Sequence, residues 1–140
     1  MSAIETEAAE YVGWLQVHNY AETTVACRIR YLAYFAEFCD ERGIERPEQV
    51  TLDLLQAYQQ RLYDHRKRDG EPLAVATQAQ RLVPVTHFFT WLRRSGRVEL
   101  NPASDLLVLE DGRLVPLTFV SRDGEGILTV DGPPGLLDLE

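Results

Sequence analysis

The sequence lacks the features of a secreted or membrane-spanning chain. It has two cysteines, Cys27 and Cys39. On one helix this spacing holds them about 18 Å apart, well beyond the roughly 7 Å that a disulfide bridges between Cα atoms. No apolar run approaches the ~20 residues of a membrane span. The amino terminus carries acids where a secretory signal carries bases. We therefore expect reduced thiols, no membrane partner and a cytoplasmic location.

Signals of metal and cofactor chemistry are also missing. The three histidines, His18, His65 and His87, are scattered, and no Cys/His pair has the spacing of metal ligands. The glycine-containing stretches "DGEG" and "DGPPG" lack the strand–loop–helix context of a phosphate-binding loop. The sequence therefore predicts neither a metal site nor a cofactor.

Positive charge is scarce overall but unevenly distributed. The net charge is −8, and residues 105–140 hold eight acids against two bases. Residues 51–100 instead hold five acids and eight bases. The total charge argues against a nucleic-acid ligand, whereas the basic middle of the chain is compatible with one.

The apolar pattern predicts four helices. The first spans about Ala3–Val17. The second begins at "ETT", where Thr23 or Thr24 is expected to cap it, and ends near Gly43. In this helix Ile29 is expected to face the core. Thr51 is expected to cap the third helix.

The fourth helix is predicted over about Ala74–Arg94, with a kink at Pro84. The residues expected to face the core are Leu82, Val85, Phe89 and Leu92, with Phe88 at the edge. The residues expected to face outward are Gln80, Val83, His87, Thr90 and Arg94. Arginines and Gly96 suit the end of this helix.

The composition changes after Asn101. The runs "LVPLTFV" and "GILTV" flank "SRDGEG", which predicts a β-hairpin within residues 113–131. We expect an all-α domain over residues 1–104, followed by a linker and acidic tail over residues 105–140, irregular or hairpin-like.

Four stretches carry a resemblance to a known family. They are "TVACRIRYLAYFAEF" from Thr24, "VTLDLLQAYQQRL" from Val50, "TQAQRLVPVTHFFTWL" from Thr77 and "GRVELNPAS" from Gly96. In this order and spacing they resemble the amino-terminal, SAM-like core-binding domain of tyrosine recombinases, the phage integrases and Xer-type enzymes. The resemblance covers about residues 1–116. It implies an orthogonal bundle of four to five helices that forms half of a clamp around double-stranded DNA.

The resemblance also implies which residues meet DNA. It places the start and outer face of the fourth helix near a groove, where Gln80 could bond a base edge and the arginines could neutralise phosphates. The expected contacts are Thr77, Gln80, Arg81, His87, Arg93, Arg94 and Arg97, with Arg66, Lys67 and Arg68 from the preceding loop. Family members usually carry an arginine or lysine near positions 80 and 86–87, where this chain has Gln80, Thr86 and His87, and an aromatic residue where this chain has Arg28. The alternative for the basic residues is helix capping and solvation.

The expected role is non-catalytic. The family transfers a phosphoryl group to a tyrosine with an Arg–Lys–His-x-x-Arg set. The "HRKR" at His65 matches His-x-x-Arg, but all six tyrosines precede it. We expect a DNA-binding domain of a truncated recombinase or integrase from a mobile element, acting in recombination or integration. The alternatives are a helical interaction module that dimerises or modulates a recombinase protomer, and a remnant without a selected function.

Overall fold

The four predicted helices form a bundle. A computed structural model describes residues 2–110 and 113–116, with side chains up to residue 107. The helices are α1 (Ala3–Val17), α2 (Glu22–Glu41), α3 (Leu52–Asp64) and α4 (Val75–Arg94), and a 3₁₀ turn at Pro47–Gln49 precedes α3. The all-α prediction is confirmed. None of the helices in these described ranges is long and apolar enough to cross a membrane.

A short hairpin follows the bundle. Strand β1 (Leu107–Glu110) pairs antiparallel with β2 (Arg113–Pro116), and Val108 lies opposite Val115. The β2 segment was expected to belong to a hairpin within residues 113–131, but its observed partner precedes it in the chain. Residues 117–131, on which the rest of that predicted hairpin falls, lie outside the described residues.

Two of the four helices, α1 and α3, begin at a residue whose side chain caps the first turn. Ser2 caps α1, since its hydroxyl accepts from the Glu5 amide at 3.2 Å while the Glu5 carboxylate accepts from the Ser2 amide at 2.9 Å. The Thr51 hydroxyl accepts from the Leu54 amide at 3.1 Å and caps α3 as predicted. The predicted cap of α2 by Thr23 or Thr24 is wrong, because the cap position is Ala21, two to three residues earlier, and it makes no side-chain cap bond.

Helix α4 is the centre of the core because it contacts all three other helices. Every residue from 82 to 89 is buried, so its buried surface is wider than the single stripe that the sequence predicted. Phe88, expected at the edge, is fully buried and lies 5.7 Å from the ring of Tyr11 in α1. Phe89 lies 6.3 Å from the ring of Phe35 in α2.

Helix α2 buries a polar residue in place of an apolar one. Ile29, predicted to point inward, is 51% exposed, whereas Arg28 is only 6% exposed. The buried positions of α2 follow the helical spacing through Val25, Arg28, Leu32 and Phe35. The inward prediction for Ile29 is therefore wrong by one position.

Candidate nucleic-acid interface

The residues predicted to contact DNA fall at two ends of α4. Six of them lie at its start or in the loop before it: Arg66, Lys67, Arg68, Thr77, Gln80 and Arg81. Three lie at its end or just beyond: Arg93, Arg94 and Arg97. The two ends are separated by about 20 Å along the helix axis, from a rise of about 1.5 Å per residue. Each end therefore has its own surroundings.

Arg81 lies against two tyrosines of α2. Its guanidinium carbon is 5.2 Å from the ring centroid of Tyr34 and 5.9 Å from that of Tyr31. Arg30 lies 6.0 Å from the same Tyr31 ring. We call these four residues, Arg30, Tyr31, Tyr34 and Arg81, the tyrosine platform. A cation over an aromatic face is attracted by the ring quadrupole, so the two rings restrain the guanidinium of Arg81.

The platform carries positive charge that acids within the described structure do not neutralise. Among residues 2–107, no carboxylate pairs with Arg30 or Arg81. Tyr34 is 42% exposed and Arg30 is exposed, so the surface is open to a ligand. Unpaired cations restrained on an open aromatic surface are suited to bind a phosphate or another anion.

Tyr58 of α3 lies near Arg81 inside the molecule. Tyr58 is 2% exposed, and within the described residues its hydroxyl and the Nε of Arg81 have no hydrogen-bond partner. Burial raises the pKa of Tyr58, and the nearby charge of Arg81 opposes that rise. Tyr58 is therefore a neutral phenol and offers Arg81 no counter-charge.

The basic residues of the loop before α4 have different surroundings. Arg66 turns back to the end of α3, where its guanidinium donates to the carbonyls of Tyr63, Asp64 and His65 at 3.2, 3.3 and 3.2 Å. This is the capping alternative, since positive side chains stabilise the carbonyl end of a helix. Lys67 and Arg68 are exposed.

At the far end of α4, Arg97 is engaged inside the molecule. Its guanidinium pairs with the carboxylates of Glu10 and, at 3.6 Å, Glu7, both on α1. Arg93 is exposed and Arg94 is partly buried. Phosphate contact by Arg97 would compete with these glutamates, so this end is the weaker candidate.

His87 is not on the outer face. Its side chain is buried, at 4% exposure, and its Nδ1 lies 2.8 Å from the guanidinium of Arg28. The prediction that His87 and Val83 face outward is wrong, because α4 is covered on that side by α1 and α2. Thr77 and Gln80 are half-buried, as is Thr90, whose hydroxyl donates to the Thr86 carbonyl at 3.1 Å.

Sequence reasoning missed three platform residues, Arg30, Tyr31 and Tyr34. They lie on α2 next to the buried positions Leu32 and Phe35, where Arg30 and Tyr34 are exposed and Tyr31 is partly buried. The signal was available, since two aromatics three positions apart with a neighbouring arginine lie beside the apolar stripe. Within the part of the chain that is described, no group of three or more His, Cys, Asp or Glu side chains could hold a metal ion.

Comparison with known proteins gives a curated relative. Tyrosine recombinase XerC 2 of Ralstonia nicotianae is 35% identical to this chain over 120 residues. The alignment covers 85% of this chain and 35% of the relative, so the chain spans about a third of the relative's length. No family model matches the sequence, and no solved structure matches it. The identity supports a relationship to the tyrosine recombinases.

Proposed function

We propose that this chain is a DNA-binding helical domain of the tyrosine-recombinase type and that it contacts duplex DNA through the tyrosine platform. The similarity to a tyrosine recombinase supports a role connected with DNA recombination or integration. In this proposal the chain binds DNA and performs no strand cleavage itself. The His-x-x-Arg match at His65 lies in the loop after α3, and the six tyrosines come before it.

The observation that carries the proposal is the position of Arg81 over Tyr34. The guanidinium is restrained by two rings and, in the described residues, has no acid partner. A restrained arginine loses less entropy when it bonds a phosphate than a mobile one does. Arg30 adds a second cation at the same surface.

The acidity of the whole chain limits the expected affinity. At a net charge of −8, long-range attraction to DNA is weak, so binding depends on a few local contacts. Each phosphate that a cation neutralises contributes roughly 0.9 to the slope of log affinity against log salt. We therefore expect binding that is measurable at low salt and largely lost at ~200 mM salt.

A fluorescence anisotropy titration with a labelled duplex at about 50 and 200 mM salt tests the proposal. We expect Arg81→Gln to weaken binding about tenfold and to reduce the salt slope by about one. Arg46→Gln is the matched control, because Arg46 is exposed and pairs with Glu48 in the turn before α3. Equal affinity of the wild type and Arg81→Gln would contradict the proposal.

The aromatic part of the platform is tested separately. Tyr34→Leu keeps an apolar side chain over the core but removes the ring that holds Arg81. We expect a severalfold loss of duplex affinity, since a cation–π contact is worth about 0.5–1 kcal/mol at an exposed site. Tyr63→Leu is the control, because Tyr63 is 61% exposed and lies at the end of α3. A loss of equal size in both variants would point to non-specific loss of aromatic surface.

A second candidate function is that of an interaction module for a recombinase protomer or a second copy of this chain. Leu100 is 79% exposed and Leu107 is 44% exposed, on either side of the turn that follows α4. Exposed apolar residues at a turn are suited to a protein contact. Sedimentation equilibrium distinguishes this candidate from DNA binding. The interaction module predicts a dimer or a complex with a recombinase that Leu100→Ser weakens. It also predicts that Arg81→Gln leaves the duplex affinity unchanged.

A further inference from the structure

The loop between α3 and α4 folds into a small hairpin over residues 66–72, which we call the basic hairpin. Arg66 and Pro72 form an antiparallel β-bridge at its base, and the Lys67 amide donates to the Glu71 carbonyl at 2.8 Å. A hairpin with a three-residue loop is one of the common ways to reverse a chain. The segment that carries three consecutive bases therefore has a defined backbone.

The turn at the tip of the basic hairpin is held by Asp69 and Gly70. The Gly70 amide donates to the Lys67 carbonyl at 2.8 Å, and Gly70 has a φ of +86°, in the left-handed region that favours glycine. The Asp69 carboxylate accepts from the Glu71 amide at 2.9 Å, as in an Asx turn. Local hydrogen bonds and one glycine thus fix the backbone of the tip.

Both ends of the basic hairpin are attached to the bundle. Before it, the Arg66 guanidinium donates to the carbonyls at the end of α3. After it, Leu73 is buried, and its carbonyl accepts from the side chain of Gln78 in α4 at 3.0 Å. The base of the hairpin is therefore fixed to both α3 and α4.

The tip leaves two cations open to a ligand. Lys67 and Arg68 are exposed, and within the described residues neither forms an ion pair. Asp69 follows them in the chain, but one of its oxygens is engaged by the backbone of the turn. Adjacent cations on a preformed turn suit a phosphate, because less conformational freedom is lost when the ligand binds.

We propose that Asp69 and Gly70 are positioning residues, which hold Lys67 and Arg68 in a preformed turn that binds the phosphates of duplex DNA. This inference rests on the proposed function and adds a second contact to it, made by a different segment from the tyrosine platform. Asp69 has two opposing effects. Its hydrogen bond shapes the turn, whereas its negative charge repels the phosphate that the neighbouring cations attract.

The two cations are tested with Lys67→Gln and Arg68→Gln in anisotropy titrations of a labelled duplex. We expect each variant to weaken binding about fivefold at about 50 mM salt and to reduce the salt slope by about one. Arg46→Gln is the control, because Arg46 is exposed and pairs with Glu48. Unchanged affinity and salt slope in both variants would overturn the proposal.

A pair of substitutions separates the two effects of Asp69. Asp69→Asn keeps an oxygen that can accept from the Glu71 amide and removes the charge, so it should strengthen duplex binding about twofold. Asp69→Ala removes both the hydrogen bond and the charge, so it should weaken binding although a repulsive charge is lost. If the two variants bind the duplex equally well, the hydrogen bond of Asp69 has no positioning role.

The glycine of the turn is tested with Gly70→Ala. A Cβ at this position would meet no atom within 4 Å, so the substitution strains only the backbone. Gly43→Ala is the matched control, since Gly43 follows α2 with a φ of +74° and a Cβ there also meets no atom within 4 Å. We expect similar losses of stability in urea unfolding, but a severalfold loss of duplex affinity in Gly70→Ala alone. Equal affinities of the two glycine variants would contradict the positioning role of Gly70.

The outcomes distinguish the basic hairpin from the tyrosine platform. A loss of affinity in Arg81→Gln alone would leave the platform as the DNA contact and overturn the hairpin. A loss in Lys67→Gln and Arg68→Gln, with Arg81→Gln unchanged, would support the hairpin and contradict the platform. A wild-type chain that binds no duplex at low salt would overturn both.

Discussion

The guanidinium of Arg97 lies over the indole of Trp91, with its central carbon 4.5 Å from the ring centroid. The same guanidinium pairs with Glu10 of α1. Arg97 therefore connects the end of α4 to α1 through one ring contact and one ion pair. The charge of Arg97 is thus engaged within the molecule, although the family resemblance implied a phosphate contact for it.

We expect Arg97→Gln to lower the free energy of unfolding by about 1 kcal/mol, from the loss of a cation–π contact and a partly exposed ion pair. Duplex affinity should stay within twofold of the wild type. Urea unfolding and anisotropy measure the two quantities on the same samples. Arg93→Gln, at an exposed position of α4, is the control and should leave stability unchanged. A large loss of affinity with full stability in Arg97→Gln would restore the phosphate role.

The two glutamates beside Arg97 should respond differently to removal of their charge. Burial raises the pKa of Glu7 above its ordinary value, and the opposing charge of Arg97 does not fully cancel that effect. A carboxyl whose folded pKa is raised stabilises the fold at low pH and loses that contribution as the pH rises through its titration range. The free energy of unfolding of Glu7→Gln should therefore rise relative to that of the wild type as the pH increases from about 4 to about 7. Urea unfolding across this range measures the difference.

Glu10→Gln is the comparison for Glu7→Gln. Glu10 is more exposed than Glu7 and makes the closer contact with Arg97. Its neutral variant should lose about 0.5 kcal/mol at pH 7, the usual size of an exposed ion pair. If both variants lose the same stability at pH 7, the effect of burial on Glu7 is not the dominant one.

The helix starts allow a matched test of capping. Thr51→Ala removes the hydroxyl that accepts from the Leu54 amide and should cost about 1 kcal/mol. Thr23→Ala should change stability by less than about 0.5 kcal/mol, because Thr23 is exposed in the first turn of α2 and makes no cap bond. Thermal or urea unfolding measures the loss of stability in each variant. Equal losses in the two variants would mean that the start of α2 is held by Thr23 after all.

Much of the fold could be predicted from the sequence because helical periodicity and capping are local. The four helices and the Thr51 cap follow from residues close together in the chain. The burial of His87 and Val83 could not be predicted in this way. It depends on α1, α2 and α3 all packing on α4, and amphipathic reasoning assumes that a helix keeps one solvent face.

The candidate site was predicted in part for the same reason. Arg81 was identified from its position on α4, but its partners Tyr31 and Tyr34 lie about fifty residues earlier, and only the packing of α2 on α4 brings them together. Arg66 and Arg97 were expected to contact phosphates, with helix capping and solvation as the alternative. Arg66 bonds nearby carbonyls, which is the local capping alternative, whereas the pairing of Arg97 with Glu10 is a tertiary contact. A count of basic residues does not distinguish charges that are engaged from those that are open.

The two cysteines should differ in reactivity although both lie on α2. Cys27 is exposed, whereas Cys39 is buried, and burial raises the pKa of the Cys39 thiol to about 12. The reactive form is the thiolate, so a thiol reagent at pH 8 should label one cysteine quickly and the second only after unfolding. Mass spectrometry of the labelled native protein identifies the site. Rapid labelling of both thiols would contradict the burial of Cys39.

The turn after α4 depends on Asn101. Its side-chain oxygen accepts from the Ala103 amide at 2.9 Å, and its nitrogen donates to the Thr90 hydroxyl at 3.3 Å. The turn buries Ala103 and Leu106 against the core, so loss of its geometry should expose apolar surface. We expect Asn101→Ala to cost about 1–2 kcal/mol. Thr90→Val should cost less, because it keeps the Ala103 bond and removes only the hydroxyl's contacts with Asn101 and with the Thr86 carbonyl. A double-mutant cycle measured by urea unfolding isolates the Asn101–Thr90 contact, and we expect a coupling energy of about 0.5 kcal/mol or more. Additive losses of stability would mean that the turn is held by the Ala103 bond alone.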